Sequence, residues 1–142
     1  ITLDADGQHD SRYIPGLIEK FRSTESGIVI GERMSGNTES MPLLRKLTNI
    51  TTSLIISAAA GHRIKDSQSG YRLISKRVLS GLELSSKHFD LESEILIRAG
   101  RKGARISSIT IETIYTGNEK SKINPLTDTI RFLLLVFRSF FW

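Results

Sequence analysis

Three features of this 142-residue sequence predict one α/β domain. Apolar residues at helical spacing, such as Leu17 and Phe21, precede a short apolar run at 28–30. The same order returns where a helical pattern over 91–102 precedes a β-branched run over 105–115. The length fits a single domain, and 39% hydrophobic with 25% charged residues is an ordinary globular composition. Helices that alternate with buried strands are typical of layered α/β domains.

The first half of the chain is expected to supply a strand end, a helix, a buried strand and a longer helix. The opening Ile-Thr-Leu resembles the end of a strand, and a proline is tolerated in the first turn of the helix over 13–22. Residues 34–41 are turn-rich and predict a loop. Over 42–60 one helical face carries most of the apolar residues, and Gly61 stands where a helix C-cap is wanted. The residues of this apolar face are Leu43, Leu44, Leu47, Ile50, Leu54 and Ala58.

The second half is expected to add two strands and two helices. Residues 71–74 predict a brief strand, and the Ser75 hydroxyl can cap a short helix through Leu79. Asp90 is the expected N-cap of a helix that ends near Gly103. Alternation at period two then predicts a strand within 105–115. A polar loop and an apolar tail complete the chain.

Charge and composition narrow the function classes. The net charge of +5 and the pI of about 9.7 favour anionic partners. The absence of cysteine excludes thiol catalysis and Cys-ligated metals. No apolar run in the sequence reaches the 18 or so residues that a membrane span needs. Nucleic acid is not an expected partner, because lysine and arginine are dispersed and aromatic residues are not interleaved with them outside the tail.

The strongest local motif is Asp-Ala-Asp-Gly-Gln-His at 4–9. Two carboxylates, Asp4 and Asp6, follow a strand end, where they suit Mg²⁺ or Mn²⁺ that bridges substrate phosphates, and Gln8 adds a neutral oxygen. The alternative is a plain strand-to-turn junction. An EF-hand is excluded, because its sixth and twelfth positions would be His9 and Pro15. The motif also resembles that of haloacid-dehalogenase-like phosphatases, which stay open as a rival function.

Three further segments could carry chemistry. In Asp-Ser-Gln-Ser-Gly-Tyr-Arg at 66–72, Asp66 could accept from a sugar hydroxyl or act as a base, or only stabilise its own loop. Glu92 and Glu94 lie in the first turns of a predicted helix, where acidic residues also interact favourably with the helix dipole. The segment 117–122 is a basic loop that could close over a phosphate or be a solvated turn.

Together, these segments resemble the family 2 glycosyltransferases, in particular the dolichol-phosphate mannosyltransferase-like group that uses polyprenyl-phosphate acceptors. The resemblance covers essentially the whole chain, and six segments match in order. They are Asp-Ala-Asp-Gly-Gln-His (4–9), Ile-Gly-Glu-Arg (30–33), Leu-Leu-Arg-Lys-Leu-Thr-Asn (43–49), Asp-Ser-Gln-Ser-Gly-Tyr-Arg-Leu (66–73), Phe-Asp-Leu-Glu-Ser-Glu-Ile-Leu (89–96) and Glu-Lys-Ser-Lys-Ile-Asn-Pro (119–125).

The resemblance implies a GT-A fold, a Rossmann-like nucleotide-diphospho-sugar transferase fold, with a divalent ion at the Asp-x-Asp motif. It implies that the N-terminal nucleoside-binding part precedes this chain, so that 1–125 is the catalytic and acceptor-side part. The metal ligands by this analogy are Asp4, Asp6 and Gln8. The matching cations are Arg33 and Arg45 on the acceptor phosphate and Lys122 over the donor phosphates, arginine being suited to bidentate phosphate contacts.

The same resemblance implies an inverting transfer of a sugar from a nucleotide-sugar donor to a polyprenyl phosphate or a glycan. A phosphate acceptor is already anionic, so Asp66, Glu92 or Glu94 would orient substrates; a hydroxyl acceptor would need one of them as a base. The tail, 126–142, has arginines among leucines and phenylalanines and predicts an interfacial helix at the cytoplasmic face of a membrane. Alternatively, the tail is a helix that packs on the sheet, or it is the start of a longer hydrophobic segment. A non-catalytic domain that binds phosphate or a membrane is the remaining rival function.

Overall fold

A computed structural model describes most of the chain as a small sheet covered by helices on both faces. The residues that it describes are 1–4, 7, 9–35, 41, 43–86, 89–112 and 125–142, with the backbone alone at 89 and 125–128. A 3₁₀ turn at Ser11–Tyr13 leads into the first helix. The helices are α1 (Ile14–Thr24), α2 (Leu43–Ala60), α3 (Lys76–Ser80), α4 (Phe89–Arg101) and α5 (Pro125–Ser139), and the strands are β1 (Ile28–Glu32), β2 (Arg72–Ile74) and β3 (Ile106–Thr110).

The three strands form a mixed sheet in the order β2-β1-β3. β1 is antiparallel to β2, with Ile30 opposite Arg72, and parallel to β3, with Glu32 opposite Thr110. Beside β2, Thr2 exchanges two backbone hydrogen bonds with Arg72, of 2.8 and 3.0 Å. The opening segment therefore runs parallel to β1, and the strand end that its sequence predicts is a single bridge at Thr2. Its end and the ends of β1 and β3 all reach the same edge of the sheet.

Alternation along β1 divides the core between the two faces of the sheet. Ile28 and Ile30 point toward α2 and α4, where they pack with residues such as Leu96. Val29 points the other way and packs with Leu17 of α1. All five residues of β1 are buried, as expected for a strand with helices on both sides. The predicted α/β fold class is confirmed.

Several sequence predictions of local structure hold, and two boundaries move. Gly61 ends α2 with φ +67°, and the Ser75 hydroxyl accepts from the backbone N–H of Val78 at 3.1 Å. The helix α4 begins one residue before Asp90, which therefore lies in the first turn and is not the N-cap. The strand β3 covers only part of the predicted 105–115, of which 113–115 lie outside the described residues.

The apolar face of α2 lies at the surface. Leu44 is 78% exposed and Leu54 is 65% exposed, whereas the opposite side of the helix is buried. That buried side carries Asn49 and Ser53 beside Ile56. Serine fits there because its hydroxyl is used: the Ser53 Oγ accepts from the backbone N–H of Ser67 at 2.9 Å. An amphipathic helix is thus present, but its leucine row does not form the core.

The C-terminal helix α5 packs against α2 and α4 along one side only. Leu135 and Ser139 are buried there, and the Arg98 guanidinium stacks over the Trp142 ring at 4.0 Å. The other side of α5 is apolar and exposed, through Leu133, Leu134, Phe137 and Ile130. Among the described helices, none is both long enough and apolar enough to cross a bilayer. The division of the chain at residue 125 and the interfacial role of the tail stay predictions.

Candidate functional site

The candidate site lies at the sheet edge where the opening segment and β1 end. Asp4 follows the opening segment, and Arg33 follows β1 directly. The loop 66–71 reaches the same edge, because it leads into β2, which is antiparallel to β1. Ligands of α/β sheets bind at such edges, beyond the carboxyl ends of parallel strands. The topology therefore brings together the first and second motifs of the sequence.

Asp4 presents its carboxylate to solvent beside Gly70. Its side chain is 53% exposed, and the Nε2 of the buried His9 lies 3.3 Å from its Oδ2. A Cβ placed on Gly70 would stand 2.6 Å from both carboxylate oxygens, so the carboxylate occupies the space that any larger residue would fill. An exposed and laterally held carboxylate fits a cation ligand. The other expected ligands, Asp6 and Gln8, lie outside the described residues, and the part of the chain that is described contains no group of three potential metal-ligating side chains.

Asp66 and Arg33 form a buried, two-pronged ion pair. The Arg33 Nε donates to Asp66 Oδ2 at 2.8 Å, and its Nη2 donates to Oδ1 at 3.0 Å. The backbone N–H of Arg33 also donates to Oδ2, at 3.1 Å. Asp66 is fully buried, whereas the Arg33 side chain remains 17% exposed. The carboxylate that the sequence offered as a base or sugar ligand therefore orients the arginine that it offered as a phosphate ligand.

Arg72 holds the loop 66–70 from inside the protein. Its Nη2 donates to the carbonyl of Ser67 and its Nε to the carbonyl of Ser69, both at 2.7 Å. Burial lowers the pKa of Arg72 below its ordinary value, and the carboxylates of Glu92 and Asp66 offset part of that effect. Glu92 contributes directly, because its Oε2 lies 3.2 Å from Nη2 of Arg72. Sequence reasoning gave Arg72 no role, although a charged residue inside a predicted strand was a signal.

A second buried carboxylate, Glu32, supports the same edge. It accepts from the Lys65 Nζ, the Thr110 hydroxyl and the Ser35 backbone N–H, each at 3.2 Å. Glu32 is 1% exposed and Lys65 is 46% exposed. Sequence reasoning missed both residues. The available signal was a glutamate at the end of a strand whose other residues are all uncharged.

Glu94 lies in a different network, which ties α4 to the preceding loop. It accepts from the backbone N–H groups of Ser85 and Ser86 and, at 2.7 Å, from the Nε of Arg98. Although burial alone would raise its pKa, these hydrogen bonds lower the pKa of Glu94 to about 2. Its carboxylate is thus fully engaged in structural hydrogen bonds. The structure gives Glu94 no contact with Asp4, Arg33 or Asp66 among the contacts of the described residues.

Two expected site residues remain, Arg45 and Lys122. Arg45 lies exposed in the first turn of α2. Lys122 lies outside the described residues. The described part of the site is therefore Asp4, the Arg33–Asp66 pair, and Glu92 acting through Arg72.

Several known proteins with similar sequences are named as glycosyltransferases that act on polyprenyl phosphates. A UDP-N-acetylglucosamine–dolichyl-phosphate N-acetylglucosaminyltransferase of Methanococcus voltae is 37% identical over 120 residues, 82% of this chain and 48% of that protein. The dolichol-phosphate mannosyltransferase of Pyrococcus furiosus is 36% identical over 102 residues, 69% of this chain and 29% of that protein. An undecaprenyl-phosphate mannosyltransferase of Micrococcus luteus is 28% identical over 129 residues, 87% of this chain and 52% of that protein.

The chain spans about half the length of two of these relatives and less than a third of the length of the other. No protein-family model matches it. The similarity nevertheless extends over most of the chain and includes transferases of several sugars to dolichyl or undecaprenyl phosphate. By this homology the chain belongs with the polyprenyl-phosphate glycosyltransferases, the family 2-like group that its motifs predict.

Proposed function

We propose that the protein transfers a sugar from a nucleotide-sugar donor to a polyprenyl phosphate, with inversion at the anomeric carbon and with a divalent ion, on a GT-A fold. The observation that carries this proposal is the convergence of Asp4 and the Arg33–Asp66 pair on one sheet edge. A carboxylate suited to a cation and an arginine suited to a phosphate are both needed for such a transfer, one for the leaving group and one for the acceptor. The relatives that act on lipid phosphates support the same acceptor class.

At the donor end, Asp4 would hold Mg²⁺ or Mn²⁺ together with Asp6 and Gln8. When bound, the ion neutralises charge on the departing diphosphate. Asp4 suits this role because it is exposed and because Gly70 and His9 limit where its carboxylate can lie. Lys122 would add a cation over the same phosphates.

At the acceptor end, Arg33 and Arg45 would bind the lipid phosphate. Asp66 fixes the guanidinium of Arg33 by two hydrogen bonds, so that its outer edge is already oriented when the phosphate arrives. A phosphate oxygen attacks the anomeric carbon while the bond from that carbon to the diphosphate oxygen breaks. Because the attacking oxygen is anionic, no proton has to be removed, and Asp66 acts here as a positioning residue.

The exposed apolar sides of α2 and α5 support peripheral contact with a membrane, where a lipid-linked acceptor must be met. The two helices pack against each other, and each of them exposes several large apolar side chains. A nucleotide-sugar donor would place this contact at the cytoplasmic face.

The experiment measures transfer by the full-length protein from nucleotide-sugars to polyprenyl phosphate, with and without Mg²⁺ or Mn²⁺. Asp6→Ala is expected to lower kcat/KM by roughly 10²-fold or more, because the leaving diphosphate loses its stabilisation. The matched control is Glu19→Ala, which removes an exposed carboxylate on α1. The anomeric configuration of the product, read by NMR, must be opposite to that of the donor. Unchanged transfer by Asp6→Ala contradicts the metal role, a retained configuration contradicts inversion, and release of inorganic phosphate from simple phosphoesters favours the phosphatase alternative.

A further inference from the structure

The loop 66–70 contacts both halves of the candidate site. At its first residue, Asp66 holds the Arg33 guanidinium through hydrogen bonds of 2.8 and 3.0 Å. At its last residue, Gly70 lies so close to Asp4 that a Cβ there would stand 2.6 Å from both carboxylate oxygens. Because a chain extends by at most about 3.6 Å per residue, no more than about 14 Å separates the two ends of the loop. One short segment of backbone therefore lies between the carboxylate expected at the donor and the arginine expected at the acceptor.

The side chain of Ser69 fastens this loop to β1. Ser69 is fully buried, and its hydroxyl donates to the backbone carbonyl of Gly31 at 2.6 Å. Gly31 lies in β1, two positions before Arg33. The same hydroxyl accepts from the backbone N–H of Tyr71 at 3.3 Å. Since the N–H of Gly31 already donates to the Tyr71 carbonyl at 2.8 Å, the Ser69 hydroxyl continues the pairing of β1 beyond the start of β2.

The other anchors of the loop do not reach β1. Arg72 binds the carbonyls of Ser67 and Ser69, and Ser53 of α2 accepts from the backbone N–H of Ser67. In the described part of the chain, the hydrogen bond from the Ser69 hydroxyl is thus the one that joins 66–70 to β1. A buried hydroxyl is costly unless it is bonded, and so is a buried carbonyl. Serine at this position therefore serves the contact with Gly31.

We propose that Ser69 is a positioning residue, which fixes the loop 66–70 against β1 and so sets the separation between Asp4 and the Arg33–Asp66 pair. The inference rests on the proposed function, and it gives Ser69 no contact with either substrate. If the loop shifts, the Arg33 guanidinium follows Asp66, whereas Asp4 stays on the opening segment. Each substrate then keeps its own ligand, but donor and acceptor meet in the wrong geometry.

This separation controls the rate of transfer more than the binding of either substrate. A misplacement of about 1 Å between reacting groups can cost roughly 10²-fold in rate. An interaction that is realised only when both substrates react appears in kcat and not in KM. A loosened loop should therefore lower kcat and leave the KM values of donor and acceptor unchanged.

The test is Ser69→Ala in the full-length protein, with kcat and the KM values for nucleotide-sugar and polyprenyl phosphate measured separately. The matched control is Ser26→Ala, because Ser26 is also buried and its hydroxyl donates to the Ser107 hydroxyl at 2.8 Å, at the opposite end of β1. Each variant loses one buried serine hydrogen bond, so both should lower the Tm by a similar few degrees. Ser69→Ala is expected to lower kcat about tenfold relative to Ser26→Ala, with both KM values within about twofold of the control.

A second variant, Thr2→Val, loosens the other end of the same loop. The Thr2 hydroxyl donates to the Gly70 carbonyl at 3.1 Å, and valine keeps the shape of the side chain. It should show a smaller loss of the same kind, in kcat and not in KM. Thr2→Val carries the test if Ser69→Ala does not fold.

The outcomes separate the positioning role from the transfer reaction. If Ser69→Ala and Ser26→Ala have equal kcat values, Ser69 only supports the fold, and the assignment is wrong while the proposed function stands. Wild-type kcat in Thr2→Val contradicts the assignment in the same way. A rise in one KM at unchanged kcat also overturns it, because the loop then serves one substrate. If the wild-type protein transfers sugar to no polyprenyl phosphate, the proposed function fails and the assignment fails with it.

Discussion

Replacement of Gly70 by alanine tests whether the position of the Asp4 carboxylate controls sugar transfer. The backbone of Gly70 does not require glycine, because its φ angle lies outside the left-handed region. The constraint is spatial. An alanine Cβ would stand 2.6 Å from each carboxylate oxygen of Asp4 and 2.8 Å from its Cγ. One of the two groups must move.

The displacement and its effect can be worked out from these distances. An ordinary van der Waals contact to a Cβ begins at 3.4 Å, so the carboxylate must retreat by roughly 0.8 Å. Asp4 is the free end of a half-exposed side chain, whereas Gly70 lies in a buried loop that Arg72 holds, so Asp4 is the group that moves. A misplacement of about 1 Å in a catalytic arrangement can cost roughly 10²-fold in rate. We therefore expect kcat/KM to fall between about 10-fold and 100-fold, or about 1.4 to 2.7 kcal/mol.

The assay compares kcat/KM and thermal stability of Gly70→Ala with those of Gly16→Ala. At Gly16 the same added Cβ would meet only the Cδ1 of Ile109, at an ordinary 3.5 Å, so this control should retain wild-type transfer. The Tm of Gly70→Ala should change little, because only the contact between His9 and the half-exposed Asp4 carboxylate is disturbed, and one hydrogen bond contributes about 1 kcal/mol.

A double-mutant cycle shows whether Gly70 acts through Asp4. If it does, adding Gly70→Ala to Asp4→Ala should reduce transfer no further, because the displaced group is already gone. Wild-type transfer by Gly70→Ala would refute the reasoning outright. Additive losses in the double variant would show that Gly70 matters for another reason, such as the shape of the loop.

Two further variants test the α4 network and the exposed side of α5. Glu94→Gln should lower the free energy of unfolding by about 2 kcal/mol at neutral pH, because hydrogen bonds from Ser86 and Arg98 to a buried charge are weakened. Folding lowers the pKa of Glu94 from an ordinary 4.5 to about 2. In urea unfolding, the extra stability of the wild type over Glu94→Gln should therefore be complete above pH 4.5 and vanish as the pH falls through about 2. A stability difference that does not depend on pH would contradict this. Phe137→Ser should weaken co-sedimentation of the full-length protein with anionic vesicles about tenfold or more, because a phenylalanine side chain no longer enters the membrane interface. The control Ser23→Ala should co-sediment as the wild type does. Equal binding by the two variants would exclude α5 as the contact.

The fold was predictable wherever a residue pattern is compatible with only one local structure. The run 28–30 is apolar throughout and lies between two helical patterns, so a strand covered on both faces was its expected structure. Periodicity identified α2 as a helix but could not say which face is inside. The buried face carries Ser53, whose hydroxyl is bonded to a residue 14 positions later in the chain, and such a partner cannot be read from local spacing.

The site was predictable as a set of motifs and not as a set of contacts. The sequence offered Asp66 and Arg33 separately, one for the sugar and one for the acceptor phosphate, because nothing local connects residues 33 positions apart. Their pairing depends on the sheet topology that brings the end of β1 to the loop before β2. Glu94 shows the opposite case: its position in the helix made it a candidate for chemistry, but its partners in the preceding loop make it structural.

Two buried carboxylates at the sheet edge each hold a cation that the proposed lipid-phosphate acceptor would meet. Asp66 and Glu32 are both inaccessible to solvent, and each holds a cation, Arg33 or Lys65, that remains partly exposed. In both pairs the negative charge lies beneath the positive charge, and it is the cation that reaches the surface. Such an arrangement fixes cations before a phosphate arrives and so avoids part of the cost of ordering long side chains during binding. It also argues against either carboxylate as a general base, because a base must reach the proton that it removes. Neither of these two carboxylates is therefore placed to supply the base that a sugar-hydroxyl acceptor would need.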